Sequence, residues 1–147
     1  MNTIGPVAVL GGGAWGTALA NAAAASAPRR VTLWMRDAGA AAAMAGTREN
    51  ARHLPGVPLH PGVVPTSDPA TLAEAEAVLV VTPAQTLRGV LTALRAHLAP
   101  GAALILCAKG IERGTDAFMT DVAAQAAPGA SLAVLSGPSF AADVARG

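Results

Sequence analysis

Residues 7–20 read VAVLGGGAWGTALA, a short apolar run followed by three glycines at Gly11, Gly13 and Gly16 and a helix-forming stretch from Trp15. The spacing is G-x-G-x-x-G between an expected strand and an expected helix, and each glycine has its own reason to lack a side chain. Gly11 permits the tight turn out of the strand. Gly13 lets the backbone approach a pyrophosphate, and Gly16 allows close helix-to-strand packing. Free N–H groups at the helix start, backed by the helix dipole, favour phosphate there. The alternative is a glycine-rich turn with no ligand, but three glycines so close together cost stability that packing alone does not require.

Outward from this turn the chain alternates strand and helix. Apolar strands are expected at 4–10, 31–35, 77–81, 103–107 and 131–135, and helices at 15–25, 37–45, 85–98 and 115–127, with Gly46 as the stop of the second helix. A short helix in TLAEAE (71–76) leads into the third strand. Continuous apolar strands separated by helices imply an α/β fold with a doubly wound parallel sheet covered on both faces, a Rossmann-type dinucleotide-binding domain. Residues 47–69 read as a loop, because RHLPGVPLHPGVVPTSDP (52–69) carries five prolines. A loop of that length is itself a functional candidate.

Composition narrows the function classes. A chain of 147 residues fits one domain, and its 52% apolar and 13% charged residues, against about a quarter charged in ordinary proteins, argue against disorder. The net charge is +1 with lysine and arginine scattered, so no nucleic-acid partner is expected. The single Cys107, set in an apolar run, suits a buried small hydrophobe and a reducing cytoplasm, and no metal site is expected. No stretch reaches the roughly 18 consecutive apolar residues of a spanning helix, and the N-terminus lacks a signal-peptide pattern, so membrane insertion is not expected.

Three further stretches carry chemistry. VTLWMRD (31–37) puts Arg36 and Asp37 about 20 residues beyond the glycine turn, where an acidic side chain reads a ribose 2′-hydroxyl and an arginine accommodates a 2′-phosphate. NADP and NAD both stay open, and Asp37 is also a good helix cap. CAKGIERGT (107–115) places Lys109 just past the fourth expected strand, at the crevice end of the sheet, with Glu112 as a candidate to orient it. A solvated loop lysine is the plain alternative. LSGPSFAADV (135–144) offers Ser136, Gly137 and Ser139 at a turn before a short helix; residue chemistry alone does not separate an anion site from an ordinary capped turn.

Taken in order, GGGAWGTA, LWMR, NARHLPGVPL, TPAQ, KGIE and LSGPSFAADVA closely resemble the bacterial NAD(P)-dependent glycerol-3-phosphate dehydrogenase family over essentially the whole chain. The resemblance implies interconversion of sn-glycerol 3-phosphate and dihydroxyacetone phosphate at the entrance to phospholipid synthesis, with NADP or NAD as cofactor. Carried over by position, it places Gly11, Gly13, Ala14, Trp15 and Gly16 at the cofactor turn and Arg36 at the adenosine ribose or its phosphate. It sets His53, Pro83 and Ala141 along the dinucleotide. Lys109, Gly137 and Ser139 match substrate-contacting positions, and Lys109 also reaches the cofactor.

The same resemblance implies that the family continues beyond this stretch with the last strands of the nucleotide domain and a helical domain. That domain carries the lysine that donates and accepts the proton, so no catalytic residue is expected within 1–147. The fragment is expected to bind cofactor weakly, to turn over negligibly, and to leave a sheet edge open to self-association or homodimer contacts. Two other readings are a stand-alone NAD(P)-binding module without turnover, and a different two-domain NADP dehydrogenase; KGIE and SGPSF disfavour the latter.

Overall fold

The computed structural model describes residues 5–146; of the first expected strand, position 4 lies outside them. Val7–Leu10 forms strand β1, and its side chains alternate between two cores. Val7 and Val9 belong to one and Ala8 and Leu10 to the other, so both faces of the central strand are buried. Helix α1 (Ala14–Ser26) returns the chain to β2 (Val31–Trp34), and α2 (Ala38–Thr47) follows. The remaining elements are β3 (Val63–Thr66), β4 (Ala77–Val80), α3 (Leu87–Leu94), β5 (Ala103–Leu106), α4 (Met119–Ala126), β6 (Ser131–Val134) and α5 (Ala141–Arg146). Among the described residues no helix is long and apolar enough to cross a membrane.

The strands form one parallel sheet in the order β3-β2-β1-β4-β5-β6. Val7 sits between Val31 and Ala77, and Leu10 between Trp34 and Val80, so β1 is the centre from which the chain winds first one way and then the other. This is the doubly wound order, in which ligands bind where the winding reverses, at the carboxyl ends of β1 and β4. The apolar face of α3, with Leu87, Leu91 and Leu94 buried, packs over one side of the sheet together with α4; α1 and α2 cover the other.

Residues 47–69 are not one loop. They contain β3, which pairs with β2 from Val31↔Val63 to Trp34↔Thr66 and makes the sheet six strands rather than five. Pro65 lies inside β3, and the strand tolerates it because it is at the sheet edge, where a proline's missing donor need not be paired. A 3₁₀ helix of two turns follows at Pro69–Glu74, begun by Asp68 Oδ1 accepting from the Ala70 amide. The stop of α2 also differs from expectation. The left-handed residue is Arg48, at φ 56°, not Gly46. Its guanidinium donates through Nη2 to the carbonyls of His60 at 2.8 Å and Val63 at 3.0 Å, which offsets the strain of a side chain in that conformation and fastens α2 to the start of β3. The helices expected at 85–98 and 115–127 are shorter, flanked by single 3₁₀ turns at Ala84–Thr86 and Arg95–His97 in the first case.

Candidate dinucleotide and substrate site

The turn between β1 and α1 is built as its glycines require. Gly11 has φ 123°, and a Cβ there would stand 2.6 Å from the carbonyl oxygen of Val81. A Cβ on Gly16 would run into the carbonyl oxygen of Gly11, so the first turn of α1 is pressed against the end of β1. Gly13 is different: a Cβ there would meet nothing within 4 Å. Its open side faces a cavity of about 430 Å³ lined by residues 11–16, by Val81, Thr82 and Pro83 after β4, and by Cys107 and Ala108 after β5. This is the point where the winding reverses. The amides of Gly13, Ala14 and Trp15 find no acceptor among the described residues, and Thr82 Oγ1 is a buried hydroxyl without a partner in the wall. Open space over Gly13 beside unspent donors fits a diphosphate.

A second cavity, of about 570 Å³, opens beside Gly12 and is lined by Met35, Arg36, Asp37, Met44, Asn50, Arg52 and His53 among others. The structure therefore brings Arg36 and His53 to the lining of one cavity, as a nucleoside at the far end of the dinucleotide would need. Asp37 is occupied elsewhere: its Oδ1 accepts from the Ala40 amide at 3.0 Å and caps α2. Of the two side chains at the expected 2′ position, Arg36 takes part in no ion pair among the described residues.

The third cavity, about 450 Å³, is lined by Trp15, Leu19, Cys107, Lys109, Leu135, Ser136, Gly137, Ser139 and Val144. Lys109, Gly137 and Ser139 are thus gathered at the carboxyl ends of β5 and β6, and Trp15 and Cys107 also border the glycine turn. The Lys109 ammonium donates to the Gly137 carbonyl at 3.2 Å. Burial pushes the Cys107 thiol up to about 11, so it is a protonated wall of the site rather than a nucleophile. Ala141 lines none of these cavities; it packs with Ala14 and Trp15 on a small cluster formed by Ala18, Leu54 and Val57, next to the turn.

Glu112 does not orient Lys109. It accepts a bidentate pair from Arg88 on α3, Nε to Oε1 at 2.7 Å and Nη2 to Oε2 at 2.8 Å, and a further bond from the Thr115 hydroxyl. These donors, Arg88 first, hold its carboxyl down at about 2. Gln85 brackets the same loop, donating to the Ile111 carbonyl and accepting from the Arg113 amide. The Glu112 side chain acts on the loop that carries Lys109, not on the ammonium.

The sequence does not single out Asn50 or Thr17, which prove to be buried beneath the glycine turn. The one signal was position: Thr17 follows Gly13 by four residues, and Asn50 opens the NARHLP stretch.

The signature described as NAD-dependent glycerol-3-phosphate dehydrogenase N-terminus matches residues 6–147. The chain belongs to that family. It is 64% identical over 143 residues to glycerol-3-phosphate dehydrogenase [NAD(P)+] of Methylobacterium radiotolerans, covering 97% of this chain and 43% of the relative. With the enzyme of the same name from Rhodopseudomonas palustris it shares 57% over 147 residues, all of this chain and 44% of the relative. The crystal structure of glycerol-3-phosphate dehydrogenase from Coxiella burnetii superposes with a TM-score of 0.89 at 30% identity, over 97% of this chain and 44% of that one. The chain therefore spans less than half the length of these glycerol-3-phosphate dehydrogenases.

Proposed function

We propose that this chain is the cofactor-holding half of an oxidoreductase that interconverts sn-glycerol 3-phosphate and dihydroxyacetone phosphate with NADP or NAD, and that it works in the cytoplasm. The observation that carries the reading is the continuity of the site. The open side of Gly13 stands between the Arg36 and His53 cavity on one side and the Lys109, Gly137 and Ser139 cavity on the other. That is the layout needed for a dinucleotide laid across the sheet with its reactive end beside a small anion.

A bound nicotinamide would take the hydride when the secondary alcohol is oxidised and return it to the ketone. The chain's own residues position and screen. Gly13, Ala14 and Trp15 supply backbone donors to phosphate, Arg36 supplies the cation at the ribose, and Trp15 and Cys107 form the apolar wall between turn and substrate. Lys109 and Ser139 supply a cation and a hydroxyl to the phosphorylated substrate. Lys109 is assigned to anchoring the substrate rather than to proton transfer, since its ammonium already donates to the Gly137 carbonyl. General acid catalysis is typically worth about 10² to 10⁴ in rate, so the isolated chain should hold nucleotide and turn over negligibly.

The test is a fluorescence titration of the purified chain with NADPH and NADH, with and without glycerol 3-phosphate, beside an assay of dihydroxyacetone phosphate reduction. Saturable binding that Gly13→Asp abolishes is expected, with no turnover. Soluble folded chain that binds neither nucleotide overturns the cofactor reading, and robust turnover overturns the assignment of this chain as a half-site.

A further inference from the structure

Asn50 is 3% exposed, and every polar atom of its side chain is used. Nδ2 donates to the Gly12 carbonyl at 2.9 Å and to Thr17 Oγ1 at 2.7 Å, while Oδ1 accepts from the His53 amide at 3.2 Å. Thr17, fully buried, passes the contact on: its hydroxyl donates to the Gly13 carbonyl at 2.8 Å, beside its own amide at 3.0 Å. A carboxamide from the proline-rich segment is therefore wired into two successive peptide groups of the glycine turn.

The geometry points to Asn50 as a positioning residue for the diphosphate, acting through the turn. None of the described peptide bonds is cis, and in a trans peptide the C=O and N–H point in opposite directions. Holding the Gly12 oxygen toward Asn50 turns the Gly13 N–H away from the loop, and holding the Gly13 oxygen toward Thr17 turns the Ala14 N–H away from the helix body. Those are two of the donors left without an acceptor in the chain. Gly13, with nothing within 4 Å of its side-chain position, gains no such restraint from packing, so the two peptide groups that flank it depend on this polar pair for their aim. The bond from Oδ1 to the His53 amide sets the adenosine-side wall with the same side chain, which links the two ends of the dinucleotide groove. This rests on the dinucleotide reading of the glycine turn.

The experiment compares wild type with Asn50→Asp, Thr17→Val and Thr17→Ser, using two probes, NADPH and adenosine 2′-monophosphate, together with thermal melts. Asn50→Asp keeps the acceptor for His53 and strips the two donors to the turn; Thr17→Val cuts the relay without adding charge. In both, the ratio of NADPH affinity to adenosine 2′-monophosphate affinity is expected to fall by about tenfold, the scale of one misdirected charge-assisted hydrogen bond. Thr17→Ser, which restores the hydroxyl, is expected to restore the ratio. An unchanged ratio in folded variants, or parallel loss of both affinities with the melting temperature, overturns the proposal while leaving the dinucleotide reading in place. Wild type that binds neither NADPH nor NADH removes that reading and the proposal together.

Discussion

The ammonium of Lys109 donates to the carbonyl of Gly137 at 3.2 Å, so the loop after β5 and the loop after β6 are joined across the mouth of the cavity that holds Ser139. One neutral acceptor leaves two of the three ammonium protons for a ligand. Lys109→Met should weaken glycerol 3-phosphate binding in the presence of NADPH by about tenfold or more, as expected for a lost hydrogen bond to a charged group. Stability should shift by no more than about 0.5 kcal/mol, because the residue is on the surface. Calorimetric titration checks the first and a urea melt the second; undiminished phosphate binding would remove Lys109 from the substrate site.

The pair Arg88–Glu112 gives the loop a pH dependence with a definite sign. The Glu112 carboxyl sits at about 2 in the folded chain, against an ordinary value of 4.5, because Arg88 and then Thr115 donate to it. A carboxylate depressed on folding stabilises the native state above its unfolded value, and that contribution is lost as pH falls from about 4.5 toward 2. Glu112→Gln should therefore melt below wild type at pH 7 and approach it near pH 2.5. Thermal melts across that range are the check, and a constant gap between the two proteins contradicts the assignment.

How far the sequence could be read depended on how local the cause was. The turn at Gly11, Gly13 and Gly16 was legible because the glycine spacing and the strand and helix that flank it lie together within residues 7–20, although the atom that Gly11 must avoid belongs to distant Val81. β3 was not, since proline density argues against a strand and only its place at the edge, a property of the whole sheet, makes Pro65 harmless. Gly46 looked like the stop of α2, yet Arg48 takes the left-handed position because carbonyls more than ten residues away hold its guanidinium. Glu112 was close enough in sequence to orient Lys109; Arg88, 24 residues upstream, claims it instead. Asn50 is marked only by its place at the head of NARHLP, and its role comes from a fold that brings position 50 under position 12.

Two glycines of the same turn should respond oppositely to alanine. At Gly16 the new methyl collides with the Gly11 carbonyl, a backbone atom that cannot step aside, and overpacking of that kind costs about 1–3 kcal/mol. At Gly13 the methyl enters empty space, so stability should hold while the space required by a diphosphate is filled. Urea melts of Gly16→Ala and Gly13→Ala, each paired with an NADPH titration, separate the effects. A Gly13→Ala variant that binds NADPH as wild type does would mean the phosphates do not cross that position.

Apolar side chains remain uncovered around β6. Val134 is 61% exposed and Phe140 78% exposed, and Leu135 lies exposed between them in sequence. Large exposed apolar groups next to an edge strand favour association. The chain should self-associate with rising concentration in sedimentation velocity, and Val134→Thr with Phe140→Ser should shift it toward monomer. A wild-type monomer at all accessible concentrations would refute this.

Arg36 and Asp37 adjoin in sequence but answer to different neighbours, which makes their substitutions diagnostic. Asp37 spends Oδ1 on the Ala40 amide at the start of α2, so Asp37→Ala should cost about 1 kcal/mol of stability as a lost helix cap. The ratio of NADPH to NADH affinity should barely move. Arg36 lines the cavity beside Gly12 and spends nothing on an ion pair among the described residues. Arg36→Ala should leave stability nearly unchanged and lower NADPH affinity by about tenfold or more, since a guanidinium pairs bidentately with phosphate but gains little from a plain 2′-hydroxyl. Paired titrations with the two reduced nucleotides decide it. If Asp37→Ala raises the preference for NADPH while Arg36→Ala does not lower it, then the carboxylate reads the ribose and capping is its secondary task.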